Sequence, residues 1–97
     1  MPAYVVLIDF TDQGARDMKQ MAVRVRHMQN QTQPDGVKLL AWYLTMGNHD
    51  AVAIAEASDD ETMARALLLL GTEGMVRTTT LTAFPLEDFE QMVATLP

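Results

Sequence analysis

His49 lies in the segment Met46-Gly47-Asn48-His49-Asp50 and is the side chain best suited to move a proton near neutral pH. Asp50 follows it directly, placed either to orient the imidazole or to fix the turn. Arg77 supplies a guanidinium able to hold a carboxylate or an enolate. Asp9 is the least ordinary residue of the set, a carboxylate in the otherwise apolar run Tyr4 to Phe10, where burial would demand a partner. His49 and Asp50 are therefore the candidate catalytic residues, and Asp9, Tyr43, Arg77 and Gly47 the candidate ligand-binding ones. Each has a plainer reading. Asp50 can be a turn residue bonding nearby backbone, His49 a solvated loop residue, and Arg77 an ion-pair partner of Asp9 or Glu73.

Other chemistries find little support in the sequence. The chain has no cysteine, which excludes disulfides, thiolate metal sites and cysteine nucleophiles. His27 and His49 are the only histidines, too few for an all-protein zinc site and poorly placed for haem, so no cofactor is expected. The glycines form no phosphate-cradling spacing, and no His-Glu-x-x-His or acidic calcium loop is present. Seven basic against thirteen acidic residues give a formal charge of −6, which argues against nucleic acids and anionic membrane surfaces as partners. The apolar N-terminal run stops at Asp9, short of the roughly 20 residues of a membrane span, and lacks the features of a signal peptide. The cytoplasm is the expected location.

The elements that must position these residues follow from pattern. Tyr4 to Phe10 reads as a central strand covered on both faces. Thr11 or Asp12 then caps a helix whose apolar stripe is Met18, Met21, Ala22, Val25 and Met28. Arg16, Gln20, Arg24 and His27 fall mostly on its other, solvated side. Pro34-Asp35-Gly36 marks a turn. Val37 to Thr45 and Ala51 to Glu56 read as two strands of a hairpin. Asp59-Asp60-Glu61 opens a second helix, with Met63, Ala66, Leu67 and Leu70 buried and Gly71 as its stop. Val76 to about Ala83 is a fourth strand, whose threonines at 78, 79, 80 and 82 suit a sheet edge. Pro85 and Leu86 begin a short helix with Phe89, Met92, Val93 and Leu96 on one side. Five of the eight methionines lie on helical stripes, where core packing is their expected role.

The order β-α-β-β-α-β-α contains the split βαβ unit of an α+β, ferredoxin-like fold: a four-stranded antiparallel sheet with helices on one face and an extra C-terminal helix. The 97 residues suit one domain over 1–97. Both faces of the first and third strands are largely apolar, so something must cover the open face. A second copy packed sheet against sheet would do so, giving a dimeric α+β barrel and a homodimer or higher homo-oligomer. In this topology the first two strands run the same way. Asp9, Tyr43, the segment 45–50, Arg77 and the start of the first helix then meet at one edge of the sheet.

Three blocks of the chain resemble the GYD domain family of small dimeric α+β barrel proteins. They are Tyr4-Val5-Val6-Leu7-Ile8-Asp9-Phe10-Thr11-Asp12-Gln13-Gly14, Met46-Gly47-Asn48-His49-Asp50-Ala51-Val52 and Val76-Arg77-Thr78-Thr79-Thr80-Leu81-Thr82-Ala83-Phe84. The resemblance implies the same fold and carries Gly47 and Asp50 over as candidate positions, and Arg77 matches within the third block. His49 stands where that family usually has tyrosine. Its members are largely without an assigned activity. The expected function is binding of a small organic ligand in the barrel of a homodimer, with cofactor-free acid–base chemistry open. The alternative is a non-catalytic ligand-sensing or oligomer-assembly module.

Overall fold

The computed structural model describes residues 1–30 and 36–97. In chain order the elements are β1 (Ala3–Phe10), α1 (Asp12–Arg16), α2 (Met18–Asn30), β2 (Lys38–Leu44), β3 (Ala51–Glu56), α3 (Asp60–Thr72), β4 (Val76–Ala83) and α4 (Leu86–Ala94). The strands form one sheet in the order β2-β3-β1-β4, with every neighbouring pair antiparallel. This is the α+β, ferredoxin-like arrangement. β1, the most continuously apolar strand, sits inside the sheet, and the threonine-rich β4 takes an edge.

Alternation along β1 and β3 divides the sheet into two faces. Tyr4, Val6 and Ile8 face the helices together with Ala51, Ala53 and Ala55, and with Ala57 and Met63 they form the buried core. The opposite face is apolar too. Register sets Val5 between Ile54 and Leu81, and Leu7 between Val52 and Thr79. Ala41 and Tyr43 of β2 lie opposite Ile54 and Val52 on that same face. None of these side chains is buried, and among the described residues no element lies over them.

The first helical segment differs from expectation. Thr11 is the cap, accepting a hydrogen bond from the Gly14 N–H at 3.1 Å, but the helix breaks at Asp17 (φ −106°, ψ 30°) into α1 and α2. The break follows from how tightly α1 is held. The Thr11 N–H donates to the Met75 carbonyl at 3.0 Å, and its hydroxyl donates to the Gly74 carbonyl at 2.6 Å. A Cβ on the buried Gly14 would collide with the Met75 carbonyl oxygen, so only glycine allows this approach. Of the expected stripe on α2, Met21 is buried and Val25 and Met28 are half-buried, while Met18 and Ala22 are exposed. Arg24 is not on a solvated face: it forms a two-pronged ion pair with Glu73, its Nη2 donating to Oε1 at 2.7 Å.

α3 is capped by Asp59, whose carboxylate accepts from the Thr62 N–H at 2.8 Å, with Asp60 and Glu61 in the first turn. The expected stop at Gly71 is overrun. The helix continues through Thr72, and the residue with left-handed backbone that ends the turn is Gly74 (φ +73°). Of the expected turn before β2, Pro34 and Asp35 lie outside the described residues; Gly36 has φ +86°. α4 has no buried residue and makes no extensive contact with the other described elements, leaving Leu86, Phe89, Met92, Val93 and Leu96 exposed. The chain is drawn out along one axis, 52 × 32 × 21 Å.

One hydrogen bond ties the centre of the sheet to α3. The Tyr4 hydroxyl donates to Asp60 Oδ1 at 2.5 Å, and this bond to a carboxylate, with burial, pushes the phenol up to about 12 from its ordinary 10.0. A pKa raised in the folded state contributes stability below pH 10.0 that is lost as pH climbs toward 12. In urea titrations across that range the native protein is expected to lose stability as pH rises, and Tyr4→Phe to flatten the loss. Equal slopes in the two proteins would show that the bond does not discriminate between the protonation states.

Candidate functional site

Because β1 and β2 run in the same direction, the C-terminal end of β1 meets the β2–β3 connection at one edge of the sheet. That connection is clipped at both ends by backbone chemistry. The Asp50 N–H donates to the Ile8 carbonyl at 2.9 Å, and Asp50 Oδ2 accepts from the Phe10 N–H at 2.8 Å. The Thr45 N–H donates to the Asp50 carbonyl at 2.9 Å, and the Thr45 hydroxyl donates to the His49 carbonyl at 2.6 Å. Between these clips Gly47 adopts φ +120°, a conformation that side chains resist, with open space around it. Asp50 therefore holds the connection against β1, the second of the two roles expected for it.

The partner of His49 is Asp9. His49 Nδ1 lies 3.2 Å from Asp9 Oδ2, and the two side chains are each 37% exposed. Asp9 is thus a rim carboxylate with an imidazole beside it, not a deeply buried one. When Nδ1 carries the proton toward Asp9, the lone pair of Nε2 is free to accept a proton from a bound molecule. Arg77 is the register partner of Asp9 on β4, so both project on the open face. It is exposed, and among the described residues it pairs with neither Asp9 nor Glu73; Glu73 belongs to Arg24. Tyr43 shares the face but sits two strands away and is 63% exposed.

The structure therefore brings Asp9, His49 and Asp50 together with Arg77 alongside. It sets Tyr43 apart, and makes Gly47 a matter of backbone shape. Thr45 is not among the expected site residues, although a hydroxyl just ahead of a Gly-Asn connection is well suited to bond back onto it. Among the described residues no three His, Asp or Glu side chains converge as metal ligands, and no helix is long and apolar enough to cross a membrane. Among the described residues the edge offers one free imidazole nitrogen, one free guanidinium and a carboxylate at the end of an apolar sheet. This is equipment for proton transfer or for orienting a polar group.

A four-stranded antiparallel sheet in the order β2-β3-β1-β4 with its helices makes this chain a small α+β protein of the ferredoxin-like class. The chain belongs to the GYD domain family, whose profile matches residues 4–93. It is 38% identical over 89 residues to the "Glutamine synthetase and cystathionine beta-lyase binding protein" of Thermus thermophilus, spanning 91% of this chain and 94% of that one. Among solved structures it is similar to TTHA0845, also from Thermus thermophilus, with a TM-score of 0.62 and 24% identity over 88% of this chain and 95% of that one. FFRP-DM1 shares the fold at 13% identity, with a TM-score of 0.60 over 87% of this chain and all of the other.

The clip and the dyad differ in what they contribute to stability. Asp50→Ala leaves the Phe10 N–H without its acceptor and is expected to cost about 1–3 kcal/mol in urea unfolding. His49→Ala, at a partly exposed position, is expected to change stability by no more than about 0.5 kcal/mol. A loss at His49 as large as that at Asp50 would make the imidazole a structural residue.

Proposed function

We propose that this chain is a non-catalytic binding module that works as a homodimer in the cytoplasm and docks a larger protein. In this reading residues 1–97 form a single domain, the open sheet face closes against a second copy to make a dimeric α+β barrel, and α4 is offered to the partner. The observation that carries it is the continuous apolar face of Val5, Leu7, Val52, Ile54 and Leu81, with none of the described elements over it. Charge supports a second copy as the cover. The chain carries −6 overall, yet its open face holds Asp9 and Arg77 at one end and Glu56 and Lys38 at the other, a formal sum of zero. Two copies can approach through this face without the repulsion that the rest of the surface would impose. The name of the Thermus relative supports the protein-binding half of the reading. The means is α4, which bares Leu86, Phe89 and Val93 on one side with Glu87, Asp88 and Glu90 between them. That pattern fits a basic-rimmed apolar groove.

Light scattering after size exclusion is expected to give a dimer at micromolar concentration, and Leu7→Lys a folded monomer. A monomeric native protein would overturn the barrel. Purified glutamine synthetase and cystathionine beta-lyase from the same cell are the partners to try, with binding to at least one expected to weaken tenfold or more in Phe89→Asp. Binding to neither would remove the protein-docking role.

The contact between His49 and Asp9 favours a second reading, in which the barrel holds a small organic ligand at this edge. His49, with Asp9 beside it and Asp50 holding the connection that carries it, would then serve acid–base chemistry without a cofactor, and Arg77 would bind the ligand's polar end. Native mass spectrometry is expected to show an added mass on the dimer that His49→Ala and Arg77→Ala lose. A bare dimer throughout would sink this reading.

A further inference from the structure

We infer that the cleft between α2, α3 and the helix-side face of the sheet is a binding site for one small, neutral, apolar molecule. The cleft arises from where the helices land. α2 rests on β2 and α3 on β4, the two edge strands, and the helices do not pack extensively on one another. The gap between them lies over the central strands β3 and β1, whose inward side chains are buried. β3 contributes only alanines to this face, Ala51, Ala53 and Ala55, so the floor of the gap is low. The resulting space is about 220 Å³.

Its chemistry narrows the occupant. Val6, Ile8, Ala53, Ala66 and Leu67 lie along the floor and walls, with Trp42 at the β2 side. Four methionines, Met21, Met28, Met63 and Met75, also line it, and their flexible thioethers let the walls adapt to different shapes. Among the described residues Arg24 and Glu73 are the charged lining residues, and each neutralises the other through two hydrogen bonds that strap α2 to the end of α3. With the charges already matched, nothing in the cleft calls for a charged ligand.

Size excludes a peptide helix, which is about 10 Å across and needs a groove open along its length. Water in it loses hydrogen-bonding partners against walls this apolar, and an apolar occupant gains dispersion contacts there. A cavity of about 150 Å³ accepts benzene, so this one suits a substituted ring or a chain of about eight carbons. The cleft lies on the side of the sheet away from His49 and from the proposed dimer face. It is a different site from either, and its test is independent of theirs.

Trp42 is the chain's single tryptophan and reports on the cleft directly. It also borders a second space, of about 340 Å³, lined by Phe10, Ala22 and Arg26, so the two must be separated by mutation. Titration of the native protein with 1-octanol is expected to change Trp42 fluorescence saturably, with one site per chain. Ala66→Leu, which puts a good helix former into the first space, is expected to weaken binding at least tenfold and to raise the melting temperature of the ligand-free protein. Ala53→Ile tests the same space from the floor if Ala66→Leu fails to fold, and Ala22→Leu should bind as the native protein does. A linear, unsaturable response would overturn the site, as would loss of binding in Ala22→Leu with retention in Ala66→Leu. Tighter binding of octanoate or octylammonium than of octanol would overturn the neutral ligand class. Light scattering on the same samples shows whether a variant has changed its assembly instead.

Discussion

The structure depends on one constraint: β1 is apolar on both faces and lies inside the sheet. Tyr4, Val6 and Ile8 point one way, Val5 and Leu7 the other, and a strand of this kind is stable only when both sides are covered. The chain meets the first demand with α2 and α3 and leaves the second unmet. A domain of this size buries only about two-thirds of its unfolded surface, so the uncovered half of the sheet is a large share of what it could still remove from water. Burial of apolar surface is worth about 25 cal/mol per Å², so covering that face would add to the stability of the chain.

The same constraint locates the polar edge. An inner strand must end somewhere, and β1 ends at Asp9 and Phe10, where its last backbone donor needs an acceptor. Asp50 supplies it, and in doing so pins the β2–β3 connection to the end of β1. His49 is carried to Asp9 as a consequence of that clip. Arg77 arrives by register alone, opposite Asp9 on β4. The edge is thus assembled by backbone bonding, and the side chains left free there, the imidazole Nε2 and the guanidinium, are the ones available to act on something else.

The strands were legible because period two and β-branched composition are local properties. Ala51–Glu56 and Val76–Ala83 stand where the pattern puts them, and β1 and β2 differ from expectation only at their ends. Helix ends and ion pairs were less legible because they answer to distant groups. The break at Asp17 follows from the grip of Met75 and Gly74 on Thr11, which no feature of residues 11–28 announces. Arg24 lies on what reads as a solvated face and yet meets Glu73, forty-nine positions away. For the edge residues, topology puts Asp9, His49, Asp50 and Arg77 at one end of the sheet, whereas Tyr43, expected with them, stands two strands away. Topology could not say which carboxylate the imidazole would meet, since that depends on the path of the segment 45–50 between β2 and β3.

The sheet also links α4 and the cleft to the open face. In a two-layer α+β fold the helices normally share the coverage of all four strands. Here α2 and α3 stand over the edge strands, β3 offers alanines where larger side chains would raise the floor, and the fourth helix, which could have filled the gap, stands clear of it. Alanine at three successive inward positions of β3 removes the bulk that an efficient core would use. A chain optimised only for its own stability would spend α4 on that core. This one keeps an apolar face of its sheet open, a cleft between its helices and an exposed apolar helix, and such a distribution is what a protein needs if its stability is to rise when it binds.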